Sequence, residues 1–230
     1  MHPCESCTGE CCKIYYVNLS GFDVWTIARG TNLAPQQFVD IAQEHEATGI
    51  GFKLDATKTT FAMVLAKNPG RDGKQQCAFL MEIGDGVCRC GIYPLRPAAC
   101  RVFPARLRDG AVTFRDDIVC PKESFNADAL DAPAWRMSLL RSQMEWAVYA
   151  AVVHRWNELA CSTPRGETRT PDEYYAFLMD RYARLDALEH DLQPDELCVL
   201  IEGWGQPAAA RGAPLWERYL RRAEGVIAEA

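Results

Sequence analysis

The sequence predicts an α+β fold: a small cysteine-rich β-hairpin core with two N-terminal helices, followed by a helical C-terminal half. Three observations carry this reading. Nine of the 11 cysteines (Cys4, Cys7, Cys11, Cys12, Cys77, Cys88, Cys90, Cys100 and Cys120) fall within the first 120 residues. Residues 52–114 are short alternating runs broken by Gly and Pro turns, the texture of hairpins. Beyond residue 131 the apolar residues recur at the helical period instead. The predicted division is a cysteine-cluster domain over 1–121 and a helical region over 122–230 packed on it.

Taken in order, residues 13–19 are rich in β-branched and aromatic side chains and read as a short strand. Ser20 then caps a helix over 21–29, with Phe22, Trp25, Ile27 and Ala28 on one side and Gly30 as its stop. A second helix is expected from an entry at Asn32 to Pro35, with Phe38, Ile41 and Ala42 as its buried stripe. Runs at 61–65, 78–82 and 112–114 are punctuated by Pro69-Gly70, Asp72-Gly73, Gly84-Asp85-Gly86 and Asp109-Gly110. Cys77 and the Cys88/Cys90 pair flank one such turn, so a hairpin should bring them together across paired strands. Helices are predicted over 134–160, 171–188 and 215–227, and Gly203 to Pro214 as an exposed connection.

Composition limits the function classes. With 48% hydrophobic and 24% charged residues in 230, the chain is neither disordered nor collagen-like. No apolar run approaches the ~18–20 residues that span a bilayer, and Met1-His2-Pro3-Cys4 lacks a basic and an apolar leader region. A cytoplasmic protein without a membrane role is therefore expected. Residues 1–120 balance 13 basic against 13 acidic side chains, so the net charge of −6 sits in the C-terminal part and no basic face marks a nucleic-acid partner.

A long chain with an odd cysteine count and no export signal favours metal ligation over a disulfide framework. Cys4-x2-Cys7-x3-Cys11-Cys12 packs four thiols into nine residues. A C-x2-C turn lets two sulfurs face one metal while backbone N–H groups bond the thiolates. Neighbouring side chains diverge in extended backbone, so one of Cys11 and Cys12 is expected to serve a second metal or a multi-iron cluster.

The second half of the constellation is Cys77-Ala78-Phe79-Leu80, then Cys90-Gly91-Ile92-Tyr93-Pro94-Leu95-Arg96-Pro97-Ala98-Ala99-Cys100-Arg101-Val102-Phe103-Pro104, closed by Cys120-Pro121. Together these motifs resemble the YkgJ-type cysteine-cluster family of zinc- or iron-chelating domains, related to flagellin lysine N-methylase. The resemblance spans roughly residues 4–121 and includes the early helix from Gly21 to Ala28. It implies eight metal ligands: Cys4, Cys7, Cys11, Cys12, Cys77, Cys90, Cys100 and Cys120. Two departures stand out, a third residue between Cys7 and Cys11 and the extra thiol of Cys88, which reads as structural.

Eight thiolates suit two four-thiolate sites, or one iron–sulfur cluster plus a further metal. Zinc ribbons generally show two C-x2-C knuckles and this chain has one, which favours an iron–sulfur cluster, with 4Fe-4S in view, over zinc. Tyr15, Tyr16, Phe79, Tyr93 and Phe103 could form an apolar shell, although β-core packing explains each singly. Five arginines and no acid lie between Arg89 and Arg108. Arg96 and Arg101, inside the motif, are expected to balance cluster charge, pin the loop or hold an anionic ligand, and Arg106 and Arg108 to be solvated. Cys161, Cys198 and the four histidines are expected in packing or surface roles, with His2 the one histidine near a candidate ligand.

No nucleophile elbow, P-loop, H-E-x-x-H or dinucleotide fingerprint occurs. The expected function is metal binding by the cysteine cluster, with the helical half docking a protein or peptide partner or substrate. The alternative is an iron–sulfur-dependent enzyme, redox or lysine N-methylase-like as the resemblance implies. Trp135, Trp146, Trp156, Tyr174, Tyr175 and Tyr182 are expected to pack together unless they line a groove.

Overall fold

The computed structural model describes residues 7–44, 50–84, 86–120, 131–164, 166–204 and 214–229. Cys4, His2, His45, the predicted boundary at 121/122 and most of the predicted 203–214 connection lie outside the described residues. Among those described, seven α-helices and four two-stranded antiparallel sheets make the predicted α+β fold.

Cys11 and Cys12 sit on a helix, not before a strand. Gly9 is left-handed (φ 78°) and starts α1 (Glu10–Ile14), whose Glu10 and Lys13 suit the helix dipole and pair at 3.7 Å. The expected strand over 13–19 therefore shrinks to extended backbone after Tyr15, bridged to β2 (Phe61–Leu65) through Asn18 opposite Val64. Next comes α2 (Gly21–Thr31), held by a full capping box in which Ser20 and Asp23 bond each other's backbone N–H. Gly30 does not end it. A Cβ there would stand 2.4 Å from Leu95, so the glycine serves close packing, and Asn32 in the left-handed region (φ 58°) terminates the helix.

The second predicted helix is absent. Pro35–Gln37 makes one 3-10 turn, and β1 (Val39–Gln43) pairs with β2 from Val39↔Leu65 to Gln43↔Phe61. The spacing of Phe38, Ile41 and Ala42 fits either period; the free edge of β2 decides the outcome by offering a full ladder. Three tight hairpins follow: β3 (Lys67–Pro69) with β4 (Gln75–Cys77), β5 (Leu80–Gly84) with β6 (Val87–Cys90), and β7 (Ala105–Arg108) with β8 (Ala111–Phe114). The last turns on Asp109 and Gly110, both at positive φ, the two-residue turn their sequence calls for. Cys77 is not across a hairpin from Cys88 or Cys90 as expected: it faces Lys67, and Leu80 and Glu82 face Cys90 and Cys88. Between β6 and β7 runs the short helix α3 (Ala98–Val102).

The helical half comprises α4 (Ala132–Cys161), α5 (Pro171–His190), α6 (Pro194–Trp204) and α7 (Pro214–Ala228). Three of these match the predicted periods; α6 was not predicted, and it absorbs the start of the expected connection at 203–214. No helix among the described residues is long and apolar enough to cross a membrane. One core joins both halves, with Leu19, Ile27, Phe38 and Phe52 packed together with Val152, Tyr174, Tyr182 and Leu200. Trp156, Tyr174, Tyr175 and Tyr182 are buried in it, whereas the thiols of Cys161 and Cys198 are exposed instead of packed. At the seam, Gly21 lies so close to α5 that a Cβ would fall 2.1 Å from the Tyr182 ring. Gly21→Ala is expected to cost about 1–3 kcal/mol by overpacking, read as a lower urea midpoint at unchanged m-value.

Candidate metal centre

Sulfur converges from five stretches of chain. Cys7 precedes α1, Cys11 and Cys12 lie on it, Cys77 ends β4, Cys88 and Cys90 lie on β6, and Cys100 lies on α3. These seven thiols line a single cavity of about 630 Å³. Six of the eight predicted ligands are thus brought together. Cys120 is half-buried and outside the lining, and Cys4 lies outside the described residues.

Backbone contacts fix the convergence. The Cys88 N–H donates to the Cys7 carbonyl at 2.8 Å, docking the N-terminal segment on the β5–β6 hairpin. Gly9 makes the fit possible, since a Cβ there would come within 3.0 Å of Leu80 and 3.1 Å of Cys88. Lys67 ties α1 to β3 by donating from Nζ to the Lys13 carbonyl at 2.9 Å. The Gly91 N–H donates to the Phe79 carbonyl at 2.8 Å, closing the approach of the stretch after Cys77 to that after Cys90.

Because Cys11 and Cys12 are helical, the divergence expected of extended neighbours does not arise, and their Sγ atoms are 3.9 Å apart. Four thiolates around one zinc at ~2.3 Å stand about 3.8 Å from one another, so this pair alone fits a shared ion. The Cys12 thiol bonds both Cys11 and Cys77, which pulls each of those two down to about 7 and drives Cys12 far up. Burial raises Cys88, Cys90 and Cys100. Three sulfurs accept an N–H from two residues further on: Gly9 to Cys7 at 3.2 Å, Phe79 to Cys77 and Ile92 to Cys90. This recurrent turn is the one that supports thiolate ligands.

The two motif arginines diverge. Arg96 lines the cavity, stacks on Tyr93 at 3.7 Å, donates from Nε to the Tyr93 carbonyl and favours the Cys11 and Cys90 thiolates by its charge. Arg101 turns to α4, where its Nη2 meets Glu145 at 3.1 and 3.4 Å, and its Nη1 donates to the Arg96 carbonyl at 3.2 Å. Arg106 and Arg108 are exposed as expected. Tyr15, Tyr16, Tyr93 and Phe103 line the cavity, whereas Phe79 packs on Phe38.

Lining residues that the sequence reading does not assign to the site include Lys67, Arg115, Trp146 and Cys88, the last read as structural. Cys88 carried a usable signal, because two residues from Cys90 on a strand puts it on the same face. Among the described residues no carboxylate lines the cavity, and its seven thiols are a soft set suited to zinc or iron. Among the described residues no three thiol, imidazole or carboxylate groups stand around one point closely enough for a single ion. Gly9→Ala, which forces a side chain into the left-handed region at ~1–2 kcal/mol and against Leu80 and Cys88, is expected to free residues 7–12 for proteolysis while helical circular dichroism persists.

Residues 3–126 match the model of the CxxCxxCC family, described as a zinc- or iron-chelating domain. Neither the curated proteins nor the solved structures contain a match to this chain.

Proposed function

The chain belongs to the CxxCxxCC family of zinc- or iron-chelating domains, and from that premise we propose that its cavity holds an iron–sulfur cluster. The observation that carries the choice of iron is the seven-thiol lining of a cavity about 630 Å³ in volume. One zinc ion needs four ligands at ~2.3 Å and would draw them to a point. Seven thiols from five stretches of chain exceed what one such ion takes, and a lining of this size suits a polynuclear group ligated at several corners. Cys12 bonds Cys11 and Cys77, and Cys100 feels the charges of Cys11, Cys77 and Cys90.

The bound group would supply redox or Lewis-acid capacity. The chain's own residues do the rest: N–H groups of Gly9, Phe79 and Ile92 bond the sulfurs of Cys7, Cys77 and Cys90, and the charge of Arg96 favours the Cys11 and Cys90 thiolates. Tyr15, Tyr16, Phe103 and Trp146 keep water off the apolar walls.

Purified without oxygen, the full chain is expected to be brown and to contain iron, as measured by metal analysis and the visible spectrum. A colourless protein with stoichiometric zinc would overturn the iron reading and leave the thiol assignment standing. Cys90→Ser and Cys100→Ser are each expected to lower metal content; unchanged content in both would overturn the thiol assignment itself.

A further inference from the structure

Cys100 rides on the five-residue α3, which has no side-chain cap of its own and whose Cys100 and Arg101 N–H groups both turn back to the Pro97 carbonyl. Helices that short do not hold themselves in water. Something outside α3 must fix where Cys100 points. Neighbouring helical side chains lie ~100° apart around the axis, so with Cys100 in the cavity lining Arg101 is carried round to face α4.

There it meets Glu145, whose side chain is only 3% exposed and which also accepts from Arg141 Nε at 2.9 Å. Arg141 continues to Glu189 on α5 at 2.6 Å, and Glu189 accepts from the Tyr219 hydroxyl of α7 at 3.3 Å. Two guanidinium groups and two carboxylates thus alternate from the cysteine half through three helices. A buried carboxylate between two arginines tolerates little displacement, because movement would leave a desolvated charge unpaired.

We propose that Glu145 is a positioning residue for the metal centre: by fixing Arg101 it holds α3, and with it Cys100, against the cavity, so metal retention is linked to the docking of α4. This rests on the reading that the thiols hold metal, whichever metal it is. By linkage, whatever loosens the Arg101–Glu145 contact between α3 and α4 weakens retention, and bound metal tightens that contact in return.

The test follows metal loss from the anaerobically loaded full chain into an excess of chelator. Glu145→Gln and Arg101→Gln are each expected to speed loss about tenfold, and the double variant no more than either one, as for residues acting as a unit. Arg101→Lys, which keeps the charge but not the forked geometry, should fall between wild type and Arg101→Gln. Glu189→Gln breaks the same network away from α3 and is expected to lower the denaturation midpoint without speeding loss. Equal acceleration by Glu189→Gln would reduce the effect to general destabilisation and overturn the proposal. So would unchanged loss in Arg101→Gln, which serves as the deciding variant if Glu145→Gln does not fold. A wild-type chain that takes up no metal would instead overturn the metal reading, and this inference with it.

Discussion

A buried carboxylate stands at the junction between the helical scaffold and the thiol-bearing loops. Asp23 is 2% exposed, and its Oδ2 accepts from the N–H and hydroxyl of Ser20 at 2.9 Å each, closing the start of α2. Its Oδ1 accepts the Ala98 N–H at 2.7 Å, which seats the first turn of α3. Burial first, and the nearby Glu145 second, push its pKa up to about 6 despite three donors. The group is therefore held as an acceptor by geometry at a cost in solvation, and the return is that two helix starts share one fixed point. Since α2 is pressed on α5 at Gly21 and α3 carries Cys100, the orientation of the cavity wall is inherited from the packing of the core.

The charge pattern repeats this arrangement on a larger scale. A chain with net charge −6 presents to its thiols, among the described residues, Lys67, Arg89, Arg96 and Arg115 and no carboxylate. Glu145 takes up Arg101, and Asp117 takes up Arg115 through two bonds. Against burial, which raises the thiols, Lys67 favours the Cys77 thiolate and Arg96 those of Cys11 and Cys90. The rings of Tyr15, Tyr16, Tyr93, Phe103 and Trp146 add low polarity to the lining.

Local signals were legible in the sequence wherever one element decides its own structure. The Ser20 cap, the Asp109-Gly110 turn and the long periods of α4 and α5 all appear as read. Choices made between distant segments were not. Phe38, Ile41 and Ala42 fit a helix until β2 offers an edge, and Cys77 belongs to the hairpin before the one that holds Cys88 and Cys90. α1 and α3 are too short to show a period at all, being five residues each. For the site, the motif named six of the thiols that line the cavity, because family spacing encodes convergence that chain geometry alone does not. Glu145 and Trp146 come from the other half of the sequence, and only the packed helices bring them to the cysteines.

The order of the cavity's walls along the chain carries a consequence for biosynthesis. Cys7, Cys11 and Cys12 emerge from the ribosome first, the strand and loop thiols later, and α4, which contributes Trp146, last of all. Domains form as their chain becomes available, so the first three thiols spend the longest interval unshielded. During that interval the neighbouring sulfurs of Cys11 and Cys12 are open to stray ions and oxidants, with nothing yet folded to sequester them. Until α4 arrives, those sulfurs lack the wall that Trp146 completes.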